Sequence, residues 1–354
     1  MDVIDFFCGC GGTSAGLRAA GMSILAGIDL DHDAAETYRT NFPEAGFIER
    51  DIRKIDPSEL SGLVVRHPGS RLLFSACAPC QPYTSFHRKS ARRAGQRTLL
   101  LRLMPFIDDL QPDYVFVENV PGLHKVRNGS TFNRFRAGLV RRGYSVAWTI
   151  VDCRDYGVPQ RRRRLTLLAS RLGPIEVPQP THGGDPGLAR WSTVRDWIAH
   201  LPPLEHGEIH ATVPNHQAAK LTDLNLRRIR ATPPGGGRLD WPEDLRLDCH
   251  ADHRGHSDVY GRMRWDATAP VLTTKCTSIS NGRYGHPDQD RPISVREAAS
   301  LQTFAEDFVF TGRIKSATRQ VGNAVPVLLA QAMGDAILHH VAACETRASA
   351  APNC

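Results

Sequence analysis

The chain has 354 residues, enough for one large core or for a large domain with a smaller partner. With 41% hydrophobic and 23% charged residues it has the composition of a globular protein, and no uninterrupted apolar run approaches the ~18 residues of a membrane span. The net charge of +7 permits a polyanionic partner without identifying one, because 38 of the 44 basic residues are Arg, a bias that a GC-rich coding genome also produces.

The opening Met1-Asp2-Val3-Ile4-Asp5-Phe6-Phe7 lacks the basic and long apolar regions of a signal peptide. Nine cysteines make an odd count, unsuited to a complete disulfide framework, so reduced thiols and a cytoplasmic location are expected. Cys8 and Cys10 with Cys77 and Cys80 make a weak zinc signature, since both pairs adjoin strand ends rich in Gly or Pro.

In chain order, Val3 to Phe7 reads as a first strand and Ser14 to Ala20 as the start of a helix after a Gly-rich turn. Ser23 to Asp29 is a second strand, followed by a helix around Ala34 to Thr40. Arg71 to Ala76 and Tyr114 to Glu118 are further strands, with an apolar helix from Thr98 to Leu110 between them. Ser145 to Asp152 and Arg164 to Ala169 complete the sheet of a doubly wound α/β domain. After about residue 172, Pro, Gly and His become dense and periodicity fades until about residue 290. Helices return at Ser294 to Thr303 and Val325 to Ala343. The expected division is a large domain over 1–175, a smaller inserted domain over 176–290, and a segment over 291–354 returning to the large domain.

The segment Asp5-Phe6-Phe7-Cys8-Gly9-Cys10-Gly11-Gly12-Thr13-Ser14 leaves a strand through closely spaced glycines and enters a helix. Such glycines let the backbone approach a ligand, and the helix start offers free amides; a tight turn alone would also explain them. Asp29, twenty residues after Gly9, stands at a strand end where an acid can accept from ribose hydroxyls, or cap a helix. Asp51, after the apolar pair Phe47-Ile48, could face an adenine amino group. The full dinucleotide pattern would need Gly where Ser14 stands.

Ser75-Ala76-Cys77-Ala78-Pro79-Cys80-Gln81-Pro82 sets a Cys between prolines just past a strand's carboxyl end, where α/β folds place active sites. That polar, turn-forming context argues against a Cys buried as a small hydrophobe. Val115-Phe116-Val117-Glu118-Asn119-Val120 ends an apolar strand in an acid and an amide, which plain capping would also explain.

Taken together, the chain resembles the cytosine-5 DNA methyltransferase family, bacterial restriction-modification type, along nearly its whole length. The Gly-rich turn at 5–17, Pro79-Cys80-Gln81-Pro82, Glu118-Asn119-Val120 and Gln160-Arg161-Arg162-Arg163-Arg164 match its motifs in order, followed by Arg296 to Phe304 and Gln320 to Pro326. The resemblance implies an S-adenosylmethionine-dependent domain with a mixed sheet and a smaller, irregular, mostly β target-recognition domain. It implies that Cys80 adds to ring carbon 6 of a cytosine, that Glu118 bonds ring nitrogen 3 and the exocyclic amine, and that Arg162 and Arg164 assist, Arg164 beside the base and thiolate. Positive charge there would also lower the thiol's pKa.

For the cofactor, the resemblance puts Phe7 near the adenine, Asp29 on the ribose and Leu30 over the ring. Asp51 and Ile52 line the adenine pocket, Asn323 closes the methionine side, and Gly9, Gly11, Gly12 and Pro79 complete the site. The implied partner is double-stranded DNA, met by a monomer, with a cognate restriction endonuclease as a genetic partner. Suitable DNA donors in the recognition region are Arg254, His256, Arg262, Arg264, Arg283 and Tyr284. The chain departs from the family at Ala94-Gly95-Gln96-Arg97-Thr98, where members often carry an acid and an Arg, and at Thr84, where many carry Ser. Two other readings are a tRNA cytosine-5 methyltransferase, whose distinctive insert is not seen here, and a silent DNA-binding regulator, which should have lost Cys80, Glu118 or the arginines.

Overall fold

A computed structural model describes residues 1–63, 67–79, 95–125, 129–247 and 258–350. Seven strands form one sheet: β1 (Asp2–Phe6), β2 (Ser23–Asp29), β3 (Gly46–Glu49), β4 (Leu72–Ala76), β5 (Tyr114–Asn119), β6 (Ser145–Asp152) and β7 (Arg163–Ser170). Their order is β3-β2-β1-β4-β5-β7-β6. β1 to β5 pair in parallel, whereas β7 runs antiparallel to both β5 and β6. The expected mixed, doubly wound sheet is what the chain forms.

Helices α1 (Gly12–Ala19), α2 (His32–Asn41), α3 (Pro57–Leu63), α4 (Leu103–Leu110) and α5 (Ser130–Arg141) connect the strands. Alternation along the strands splits the core. Ile4, Phe6, Leu72, Phe74, Val115, Val117, Leu165 and Leu167 face one way, into a cluster with Leu60 of α3, Phe106 of α4 and Phe135 of α5. Because the central strands are buried on both faces, they read as continuous apolar runs, which is why they were plain in the sequence. β3 was not, because its four residues hold only the pair Phe47-Ile48. The start of the expected Thr98–Leu110 helix winds as a 3₁₀ turn over Gly95–Arg102.

Contacts divide the chain into two units. The first is Met1–Asp152, Arg163–Pro180 and Val325–Cys354; the second is Cys153–Arg162 and Thr181–Ala324. The expected division differs here, for residues 291–324 fall in the second unit and only the last helix, α10 (Val327–Ala350), returns to the first.

The second unit holds α6 (Val194–Ile198), α7 (Asp223–Arg230), α8 (Val295–Leu301) and α9 (Ile314–Asn323). A mostly β domain was expected, yet among its described residues there is no strand, only isolated bridges such as Ile209–Gln217 and Arg262–Gly285. Its dense Pro and Gly interrupt ladders, and buried guanidinium groups satisfy the freed carbonyls instead. Arg262 donates to the carbonyls of Ile229, Thr232, His286 and Gln289 at 2.7–2.9 Å. Arg291 meets both oxygens of Glu297 at 2.7 Å, and Glu297 closes the capping box that Ser294 opens at the start of α8.

By length and composition the stretch Ile314–Arg347 would suffice to cross a membrane. Its α10 part is instead a core helix, burying Leu329, Ala330, Met333 and Ile337. α1 and α10 meet at Gly16, where a methyl group would fall 2.4 Å from the Val327 carbonyl oxygen and 2.6 Å from Ala330 Cβ. Gly16→Ala should therefore lower the unfolding free energy by about 1–3 kcal/mol, seen as a lower urea midpoint at unchanged slope. Gly62→Ala on α3, with nothing within 4 Å of the added methyl, should be neutral or stabilising by about 0.4–1 kcal/mol in the same assay.

Candidate active site at the carboxyl edge of the sheet

The parallel strands β1, β2, β4 and β5 all end on one edge, and strand order reverses direction between β1 and β4, the position where open α/β sheets bind ligands. Phe7, one residue past β1, holds a left-handed φ of 56° that costs a non-Gly residue roughly 1–3 kcal/mol. Gly9 (φ 53°) and Gly11 (φ 96°) continue the turn, and Gly11 precedes Gly12 at the start of α1. At Gly9 a side chain would meet nothing within 4 Å, so the backbone there faces open space.

Asp29, at the end of β2, fastens this turn from the neighbouring strand. One carboxylate oxygen accepts from Gly9 N at 2.9 Å, and the other from Leu30 N at 2.6 Å and Asp31 N at 2.9 Å. Burial raises its pKa against the opposing pull of those three amides. Leu30 beside it leaves 65% of its surface exposed, and Ile52 is buried. The Arg50 amide donates to Asp29 O, which brings Asp51 to the same edge; its carboxylate is held by the Arg53 guanidinium, whose hydrogen bonds keep its pKa low.

This set suits a nucleoside: a bare backbone turn, two carboxylates for hydroxyl and amino groups, and the apolar surfaces of Phe7, Leu30 and Ile52 for a ring. Asn323, the exposed last residue of α9, belongs to the second unit.

Three side chains meet at the ends of β4, β5 and β7. In-register pairing sets Ala76 beside Val117 and Glu118 beside Thr166, so Cys77, Glu118 and Arg164 emerge as neighbours. Glu118 is only 3% exposed. Its Oε1 lies 2.7 Å from Arg164 Nε, and its Oε2 accepts from the Cys77 thiol at 3.0 Å. Asn119 donates to Ala78 O at 2.8 Å, pinning the carbonyl just before the half-buried Pro79. Cys80 follows Pro79 and lies outside the described residues, as do Arg254 and His256.

Arg162, expected to assist together with Arg164, is bound into the second unit. It is 3% exposed and donates to the carbonyls of Leu272 and Ala324 at 3.0 Å and of Gly322 at 3.4 Å, all within the second unit. Nearby, Gln160 accepts from Leu272 N at 2.9 Å and donates to Gln302 Oε1 at 2.8 Å, and Gln302 donates to Val321 O at 2.7 Å. Sequence reasoning passed over Gln160 and Gln302, although both sit in the matched motifs. The DNA-reading expectation also changes. Arg262 is committed to carbonyls, Arg283 donates to the Gly235 and Gly236 oxygens, and Tyr284 is buried with its hydroxyl on Val271 O. Arg264 stays exposed, paired with Asp266 at 2.9 Å.

Asp5 is a further residue that sequence reasoning did not single out. It is fully buried on β1, accepting from Ser14 Oγ at 2.7 Å, and the Ser14 and Tyr38 hydroxyls are 2.9 Å apart. Burial pushes its pKa from an ordinary 3.8 up to about 6, outweighing the Ser14 and Ser75 hydroxyls that lower it. Below pH 3.8 the acid is protonated folded or unfolded; between 3.8 and about 6 the unfolded chain ionises first, so stability falls as pH rises. Asp5→Asn has no proton to lose. Its stability relative to wild type should rise through that window, by at most about 3 kcal/mol in parallel denaturant titrations.

Among known proteins, the family model for C-5 cytosine-specific DNA methylase matches residues 1–339. The Type II methylase M.HgiDII of Herpetosiphon aurantiacus is 41% identical over 341 residues, covering 95% of this chain and 94% of that protein. The Type II methyltransferase M1.HphI of Haemophilus parahaemolyticus is 31% identical, covering 96% and 87%. In fold, the chain matches a candidate DNA modification methyltransferase encoded within an E. coli prophage, with a TM-score of 0.76 at 19% identity over 97% of this chain and 99% of that one. A match over almost the whole chain, with a relative this similar, makes the protein a member of the C-5 cytosine-specific DNA methylase family.

Proposed function

We propose that the protein is a DNA cytosine-5 methyltransferase that takes a target cytosine out of duplex DNA, adds Cys80 to ring carbon 6 and methylates carbon 5. The observation that carries this reading is the buried Glu118 carboxylate beside Arg164 at the sheet edge where Pro79 leads into Cys80. When bound, S-adenosylmethionine supplies an electrophilic methyl group. Cys80 thiolate attack gives carbon 5 the electron density to accept that methyl group; loss of the carbon 5 proton then expels the thiolate. Glu118 hydrogen-bonds ring nitrogen 3 and the exocyclic amine, and delivers the proton that neutralises charge developing on the ring. Arg164 keeps positive charge against the carboxylate and base. Extruding the base costs a few kcal/mol, which phosphate and groove contacts offset.

Phe7, Gly9, Gly11, Gly12, Asp29, Leu30, Asp51, Ile52, Pro79 and Asn323 are assigned to the cofactor. Arg162 holds the carbonyls of Leu272, Gly322 and Ala324 within the second unit and is assigned with Arg164 to the arginine motif of the reaction. The protein acts as a monomer in a bacterial or archaeal cytoplasm, with a restriction endonuclease as its genetic partner, in keeping with the Type II relatives.

Bisulfite sequencing of DNA from cells expressing the protein tests activity and reveals the target site; unmodified DNA would refute the assignment. With purified enzyme, a duplex carrying 5-fluorocytosine at that site should trap an adduct on Cys80, because fluorine cannot leave as a proton does. Cys80→Ala should lose transfer entirely yet retain cofactor binding, and Glu118→Gln should lose about 10²–10⁴-fold in rate while still binding specific DNA.

Sequence specificity resides in the second unit. Replacing residues 185–285 with the corresponding region of a related methylase should transfer that enzyme's target site, since base-edge contacts discriminate by roughly 1–3 kcal/mol each. A folded chimera that kept the original site would overturn this assignment.

A further inference from the structure

Glu118 has an uneven pair of contacts. Arg164 Nε lies 2.7 Å from Oε1, yet that oxygen accepts no hydrogen bond among the described residues, so the contact is charge at short range without direction. The directional bond to the carboxylate is the one from the Cys77 thiol to Oε2, 3.0 Å long. Direction matters because the terminal torsion of a Glu side chain is broad and roughly two-fold. An ion pair fixes where the carboxylate sits but leaves its plane free to turn. The backbone carrying the thiol is itself fixed, since Cys77 N donates to Phe6 O at 3.2 Å and Asn119 holds Ala78 O.

We propose that Cys77 is a positioning residue for methyl transfer: its thiol sets the plane of the Glu118 carboxylate so that the free lone pairs and the proton face the target base. A thiol suits the task because it is a weak donor. It orders the empty carboxylate, then shares Oε2 with the stronger amine donor of an arriving cytosine at little cost. A hydroxyl would do the same at shorter reach, and a methyl group could not. Cys77 therefore differs in kind from Cys80, three residues on. It forms no bond to the base and acts only through Glu118.

The inference rests on the function proposed above, and the test separates the two. Methyl transfer and the rate of 5-fluorocytosine adduct formation are measured for wild type, Cys77→Ala and Cys77→Ser, each alone and with Glu118→Gln, alongside cofactor affinity and thermal midpoint. Cys77→Ala should lower kcat and the adduct rate by about ten- to a hundredfold, with cofactor affinity and KM for DNA unchanged. Cys77→Ser should recover most of the loss. In the Glu118→Gln background neither change should lower kcat further, because the group it positions is gone. Equal losses for Ala and Ser, or losses that multiply with Glu118→Gln, would make Cys77 a packing residue and overturn the inference. Wild-type turnover in Cys77→Ala would do the same. Should the Ala variant fail to fold, the Ser variant decides, since a folded Ser variant with little of the wild-type rate also refutes the proposal. A wild-type protein that neither methylates nor traps the analogue would instead refute the functional assignment.

Discussion

The insertion of one antiparallel strand into an otherwise parallel sheet is the constraint on which the catalytic edge depends. Parallel strands deliver only carboxyl ends to that edge, and those ends supply Phe7, Asp29, Cys77 and Glu118. A cation whose chain enters the sheet there has to come from a strand running the other way. β7 does so, and its first residues bring Arg164 to Glu118 with no intervening loop. The hydrogen-bond ladder, not loop folding, sets the spacing of the acid and the arginine. Such rigid elements hold functional groups more precisely than loops do.

The second unit solves a different problem with the same residue type. Its chain is too rich in Pro and Gly for ladders, so backbone carbonyls that would otherwise go unpaired inside it turn to guanidinium groups. Arg162, Arg262 and Arg291 each bridge segments far apart in sequence. Five donors in a rigid fork make Arg suited to this work, and Lys could not replace it. These buried guanidinium groups are therefore structural and not available to a phosphate backbone.

What was legible in the sequence follows from these two regimes. The strands β1, β2, β4, β5 and β7 could be read because both-face burial demands apolar runs, and the edge strand β6 because Val146, Ala147, Trp148, Ile150 and Val151 still give it one. The turn after β1 and the ends of β2 and β5 stood out because strand ends and tight turns restrict residue choice. α9 was missed although Ile314, Ala317 and Val321 stand at helical spacing, because those three are the only apolar side chains among its ten residues. Arg262 was read as a DNA donor because nothing in a run of letters distinguishes a guanidinium facing water from one facing four carbonyls. Cys77 had only a weak zinc signature to mark it, and the register of β4 with β5 is what shows that it faces Glu118.

The close approach of α1 and α10 at Gly16 has a consequence for biosynthesis. α1 leaves the ribosome well ahead of its partner α10, with the whole second unit translated between them. During synthesis the face of α1 that carries Gly16 stays uncovered for more than 300 residues of elongation, while Thr181–Ala324 is already long enough to collapse on its own contacts. The unit translated second can thus be the first to finish folding, and the sheet gains its final layer only when Leu329 to Ile337 arrive. Ribosome pausing or proteolysis before that point would leave Gly16 and Leu17 of α1 without their cover.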